Sequence, residues 1–174
     1  SALALAGGSG HVVQGNYIGT NAAGSAASAY SGASSHGIEI ASTSSVSIGG
    51  TSASERNLLS GNPGAGIYVD NNTSNLSVQG NYLGTNAAGS AAIANGLGGI
   101  YWRTGASGTS GITIGGTASG AGNLISGNVA GSAGGIYIAG NSHVIEGNRI
   151  GPNAAGTGFL PNGGVGGIEI RSGW

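Results

Sequence analysis

One short phrase returns along this chain as Gly37-Ile38-Glu39-Ile40, Gly66-Ile67-Tyr68-Val69, Gly99-Ile100-Tyr101-Trp102, Gly135-Ile136-Tyr137-Ile138 and Gly167-Ile168-Glu169-Ile170. Two longer passages alternate between these phrases. One is built like Val78-Gln79-Gly80-Asn81-Tyr82-Leu83-Gly84-Thr85, the other like Ile114-Gly115-Gly116 followed by Asn123-Leu124-Ile125-Ser126-Gly127-Asn128. Self-similarity at this spacing means a stack of equivalent units, none of which can bury its apolar face without its neighbours. The chain is therefore a solenoid, and the repeat sets its architecture before any chemistry is considered.

Within each phrase the side chains alternate inward and outward, which is strand periodicity. The next apolar pairs are Val46/Ile48, Leu76/Val78 and Ile112/Ile114, and a third set has Ile18, Leu59, Leu83, Ile125 and Ile150 as its inward members. Three short strands joined by Gly- and Asn-rich turns make one triangular coil. Stacked coils then bury Ile, Leu and Val in columns. The expected fold is all-β, with about five such rungs, and residues 1–174 read as a single domain without a linker. The opening Ser1-Ala2-Leu3-Ala4-Leu5-Ala6 has no basic n-region and is too short for a signal peptide, so it reads as the first strand rather than as a processing remnant.

These motifs resemble the right-handed parallel β-helix of the pectate-lyase-like repeat class. More narrowly, they resemble the Gly-Asn-x-Ile-Gly-Thr and Ile-Gly-Gly repeats of bacterial surface and secreted proteins. The resemblance implies a right-handed coil, in line with the handedness of parallel crossovers. It leaves function open, because the fold carries lyases, hydrolases, epimerases, adhesins and inert stalks. It also implies an internal asparagine ladder. Asn16, Asn57, Asn81, Asn123 and Asn148 each precede the third strand, one per rung, where stacked amides can satisfy turn backbone.

Composition narrows the function classes. Forty glycines would suit a collagenous or disordered chain, but there is no Gly-X-Y period and the apolar residues recur in register. Charged residues make up 5% of the chain and the formal net charge is −1, so copies repel one another weakly and association is favoured. Four scattered arginines and no lysine cannot line a run of phosphates, which argues against nucleic acid. No apolar run reaches the roughly 20 residues of a membrane span. The lack of cysteine removes disulfides and thiolate metal sites.

Several outward columns are candidates for chemistry. Glu39, Tyr68, Tyr101, Tyr137 and Glu169 follow one another on the first-strand face. The three tyrosines, with Arg103, are open to two readings: a platform for polysaccharide, or cross-rung stacking and lateral contact with another copy. Glu39 and Glu169 lie four rungs apart, roughly 19 Å at about 4.8 Å per rung. Paired glycosidase carboxylates need about 5 to 9.5 Å, so these two cannot act together. Asp70, the only aspartate, falls beside Arg103 as a surface ion pair. One Asp and four dispersed Glu do not build a calcium cage of about 6 to 8 oxygen ligands, and neither a cofactor nor a catalytic residue is expected. His11 and His143 align with Leu76 but sit four rungs apart, and His36 falls in a loop. Tyr17, Leu58, Tyr82 and Leu124, continued by Arg149, form an apolar outward stripe on the third strand that reads as an interface in preference to a loop-covered surface.

Neither end of the sequence reads as a polar cap. Leu3 and Leu5 at one end and Ile168, Ile170 and Trp174 at the other are therefore expected to make end-to-end contacts, and contacts that do not close generate filaments. The expectation is an extracellular or cell-surface structural protein, a head-to-tail fibre subunit or a stalk, with itself as partner. The alternative is a polysaccharide-binding or polysaccharide-modifying domain.

Overall fold

Glycine-rich turns and alternating apolar residues close the chain into successive three-strand coils. In the computed structural model, which describes residues 1–28, 35–103, 108–128, 134–164 and 166–171, the first rung consists of β1 (Leu3–Ala6), β2 (Val12–Val13) and β3 (Tyr17–Ile18). The second holds β4 (Ile38–Ala41), β5 (Ser44–Gly49) and β6 (Leu58–Leu59), and the third β7 (Ala65–Val69), β8 (Ser74–Gln79) and β9 (Tyr82–Leu83). The fourth holds β10 (Gly98–Trp102), β11 (Thr113–Gly115) and β12 (Leu124–Ile125). The fifth holds β13 (Ile136–Ala139), β14 (Val144–Glu146) and β15 (Arg149–Ile150), and β16 (Ile168–Arg171) opens a sixth.

Strands at equivalent places in successive rungs pair in parallel. They form a first sheet β1-β4-β7-β10-β13-β16, a second sheet β2-β5-β8-β11-β14 and a third sheet β3-β6-β9-β12-β15. This is a parallel β-helix. The register follows the repeat: Ile38 faces Ile67, Ile67 faces Ile100, Ile100 faces Ile136 and Ile136 faces Ile168. Leu59, Leu83, Ile125 and Ile150 align likewise in the third sheet. The inward columns make one core in which Ile38, Ile67, Val78, Leu83, Ile114 and Ile125 are fully buried. Trp102 fills the Val69 position of its rung and is also buried. The opening Leu-Ala segment is indeed a strand, with Leu3 and Leu5 in register with Ile38 and Ile40.

The corner between the first and second strands needs a left-handed residue at one fixed place. Gly10, Ser45, Asn75, Gly111 and Ser142 stand there in successive rungs, with φ of 72°, 54°, 53°, 66° and 61°. Glycine meets this conformation without cost and asparagine tolerates it, whereas serine is strained.

Candidate functional site

The asparagine column is built as a ladder. The backbone N–H of Asn57 donates to Asn81 Oδ1 at 3.1 Å, and its side-chain amide donates to the same atom at 2.9 Å. Asn81 repeats this to Asn123, and Asn123 to Asn148. Asn16 joins the other end through Asn57 Oδ1. The amide nitrogens of Asn57, Asn81, Asn123 and Asn148 also donate to the carbonyls of Val13, Ile48, Val78 and Ile114, each at 2.8 Å. Buried amides are thus fully used for structure, with no donor left for a ligand.

A second ladder escaped the sequence reading. Asn62 donates to Asn95, Asn95 to Asn128 and Asn128 to Asn162, with side-chain amide distances of 2.8, 2.9 and 2.9 Å. It lines the corner where the third strand returns to the first. A Ser-Gly-Asn signal marks it at Asn62 and Asn128, but loops inserted before Asn95 and Asn162 break the spacing.

The tyrosine column stands as expected, with Glu39 in register with Tyr68, Tyr68 with Tyr101, Tyr101 with Tyr137 and Tyr137 with Glu169. The rings stack on one another. Centroids are 5.7 Å apart for Tyr68 and Tyr101 and 5.1 Å for Tyr101 and Tyr137, with interplanar angles of 20° and 14°. His36 stacks on Tyr68 at 4.0 Å, and the Arg171 guanidinium lies 5.5 Å from the Tyr137 centroid. A sugar platform needs a free ring face, and here each face that lies along the stack is taken by the next rung. Burial, reinforced by Asp70, pushes the Tyr68 phenol above its usual range. Arg103 Nη1 reaches both Asp70 oxygens at 3.0 Å, the ion pair that the spacing indicated. Arg171 pairs with Glu169 on the same sheet, its Nε donating to Oε1 alone.

The interface stripe needs correction. Tyr17, Leu58, Tyr82 and Leu124 do share one outward column, but Leu58 and Leu124 are only 1% and 2% exposed. Loops of the chain itself cover them. On rungs one, three and five a hairpin leaves the third strand, closed by the antiparallel bridges Thr20–Ala27, Thr85–Ala92 and Pro152–Phe159. Each carries an Asn-Ala-Ala-Gly turn in which Asn21, Asn86 or Asn153 accepts a backbone N–H four residues on. The turn is pressed against the stripe. A Cβ on Gly24 would lie 2.7 Å from Leu58 Cδ2, and one on Gly89 would lie 2.8 Å from Leu124 Cδ2. The loops also bond to each other, Ala87 N–H to Gly24 O at 2.9 Å and Ala154 N–H to Gly89 O at 2.8 Å.

Of the histidines, His11 and His143 bond back to the carbonyls of Gly7 and Ala139, four residues earlier. His36 Nδ1 accepts the backbone N–H of Ala65 at 3.0 Å, so its ring is neutral and carries its proton on Nε2. Burial holds His36 and His143 below the usual imidazole range. Among the described residues, no three His, Asp or Glu side chains gather as a metal site. Comparison with protein-family models, with curated proteins and with solved structures returns no match.

At the ends of the described stack, Leu3 and Leu5 are half-buried, while Ile168 and Ile170 are 45% and 61% exposed although they continue the innermost columns. Trp174 lies outside the described residues. The arginines, dispersed in the sequence, are not dispersed in space. Two are paired with carboxylates on the first sheet, and the other two, Arg56 and Arg149, line one cavity.

Proposed function

We propose that this chain is a structural rod, a β-helical fibre subunit or stalk segment that is lengthened end-on by further rungs, with copies of itself as the partner. The observation that carries the reading is the unbroken register of the inward columns, in which Ile38, Ile67, Ile100, Ile136 and Ile168 align from rung to rung. Ile168 and Ile170 on β16 continue columns that are buried in rungs two to five. A parallel edge strand with an apolar inner row is a template for another rung. The near-neutral surface adds little repulsion to oppose such stacking. An extracellular setting belongs to the same reading, through the resemblance of the repeats to those of bacterial surface and secreted proteins.

Negative-stain electron microscopy and sedimentation of the purified chain test this. Thin fibres with an axial repeat of five to six rungs, about 24 to 29 Å at about 4.8 Å per rung, are expected. The double substitution Ile168→Glu and Ile170→Glu should abolish them while the circular dichroism of the rungs persists. Discrete particles of the wild-type chain at every concentration, or fibres unchanged in the double variant, overturn the reading.

A further inference from the structure

Arg56 and Arg149 have no carboxylate partner among the described residues, and both line a cavity of about 510 Å³ at the corner between the second and third sheets. Arg56 immediately precedes the buried Asn57. Its guanidinium climbs one rung, donating from Nε to the Gly80 carbonyl at 3.1 Å, with Cζ 4.1 Å from the Tyr82 ring centroid. Arg149 lies on β15 in the same outward column as Tyr82 and Leu124, two rungs beyond Tyr82. Its Nη1 donates to the Ala154 carbonyl. In the three rungs that follow, the place of Arg56 is taken by Gly80, Gly122 and Gly147, and the last two line the cavity without adding a side chain to it.

Each guanidinium thus spends one of its five N–H donors on a backbone carbonyl that orients it, and the rest have no partner among the described residues. The acidic residues nearby in sequence do not line the cavity. Glu55 turns back to accept the Ser52 backbone N–H at 2.9 Å, and Glu146 is exposed at the end of β14. Two like charges share one hollow without a counter-charge, although the rest of the molecule pairs its arginines. The lining is mixed: the two arginines, Thr117 and glycine backbone supply polar groups, and Leu124, the alanines and the Tyr82 ring supply apolar surface.

We propose that this cavity binds a polyvalent oxyanion of the phosphate class, a diphosphate group, with Arg56 and Arg149 each taking one anionic centre. Guanidinium forks match phosphate oxygens in shape and charge. The β9 and β15 backbones that anchor the two ends of the site are two rungs apart, about 10 Å at about 4.8 Å each. A ligand with two anionic centres engages both arginines, whereas a lone carboxylate leaves one of them unmatched. This site is independent of end-on assembly.

The test is a calorimetric titration of the full chain with inorganic pyrophosphate at low ionic strength. Saturable binding with a Kd of about 1 mM or tighter is expected, weakening as salt is added. Arg56→Gln and Arg149→Gln should each weaken it about tenfold or more, and Arg103→Gln, on the first sheet, should leave it unchanged. Arg149 is exposed, so its variant tests the site even if Arg56→Gln unfolds the corner, and thermal melts of all three establish which remain folded. A free diphosphate and one esterified to a larger molecule present the same chemistry. Methyl diphosphate binding as tightly as pyrophosphate assigns the esterified source, and its exclusion assigns the free ion. The proposal is overturned by no saturation up to about 10 mM, by an equal loss in Arg103→Gln, or by trigalacturonate binding where pyrophosphate does not.

Discussion

A single ladder amide does more for this fold than any of its apolar neighbours shows from sequence. Asn81 Oδ1 receives two donors from Asn57, and its own amide nitrogen serves Ile48, Gln79 and Asn123. Asn81→Ala removes the partner of both Asn57 donors and of the Ile48 carbonyl, at about 1–3 kcal/mol for each group stranded before relaxation. The Gln79 carbonyl keeps Gly50 N–H, and Asn123 Oδ1 keeps the backbone N–H of residue 81. Urea denaturation should therefore show a loss of about 3 kcal/mol or more. Asn16→Ala, at the exposed end of the ladder where no donor among the described residues reaches its side-chain oxygen, should cost less than about 1 kcal/mol. Backbone strain gives a second test. Ser45 holds φ 54° where Gly10 holds 72°, and an added Cβ on Gly10 meets nothing within 4 Å. Ser45→Gly should stabilise by about 0.5–1 kcal/mol and Gly10→Ala should destabilise by about 1 kcal/mol, both from the left-handed conformation alone. The imidazoles add a pH dependence. His36 and His143 have folded pKa values lowered by burial from 6.5, against which Glu39 opposes the shift at His36 and the Ala139 carbonyl opposes it at His143. The unfolded chain then takes up protons first. Stability is full above the unfolded value and falls as pH drops through it toward the folded one. Melting temperatures between about pH 7.5 and 5 should decline, and less steeply in His36→Gln.

Elements differ in how far they could be read in advance. The first sheet was legible because its strands carry the Gly-Ile-x-Ile phrase, whose period of two sets both faces. The first asparagine ladder was legible because its members stand at one offset from the third strand. Asn62, Asn95, Asn128 and Asn162 were not, since the hairpins on alternate rungs shift the offset while leaving the geometry of the corner intact. Leu58 and Leu124 misled for a related reason. Alternation correctly turns them outward, but burial of an outward residue depends on what folds over it, and the Asn-Ala-Ala-Gly turns bear no large apolar residue to signal a lid. They cover by close backbone approach, which Gly24 and Gly89 permit. The tyrosine column was placed correctly by register. Whether its ring faces are free is a matter of χ angles, which no repeat pattern encodes.

For the whole molecule, the core repeats with every rung but the surface does not. Inward columns take Ile, Leu or Val at nearly every level, with Trp102 the large exception, so the interior accepts one more rung almost anywhere. The hairpins that shield the third sheet touch each other from the first rung to the third and from the third to the fifth, skipping the rung between. Removing one rung would bring two of them to half their present separation, where Gly89 already packs with no room for a Cβ against Ala154. The outside therefore counts in pairs while the inside counts in ones. Growth by duplication, loss by deletion and any regular fibre must all conserve parity. Of the two axial repeats considered, only the six-rung one keeps the hairpins in phase.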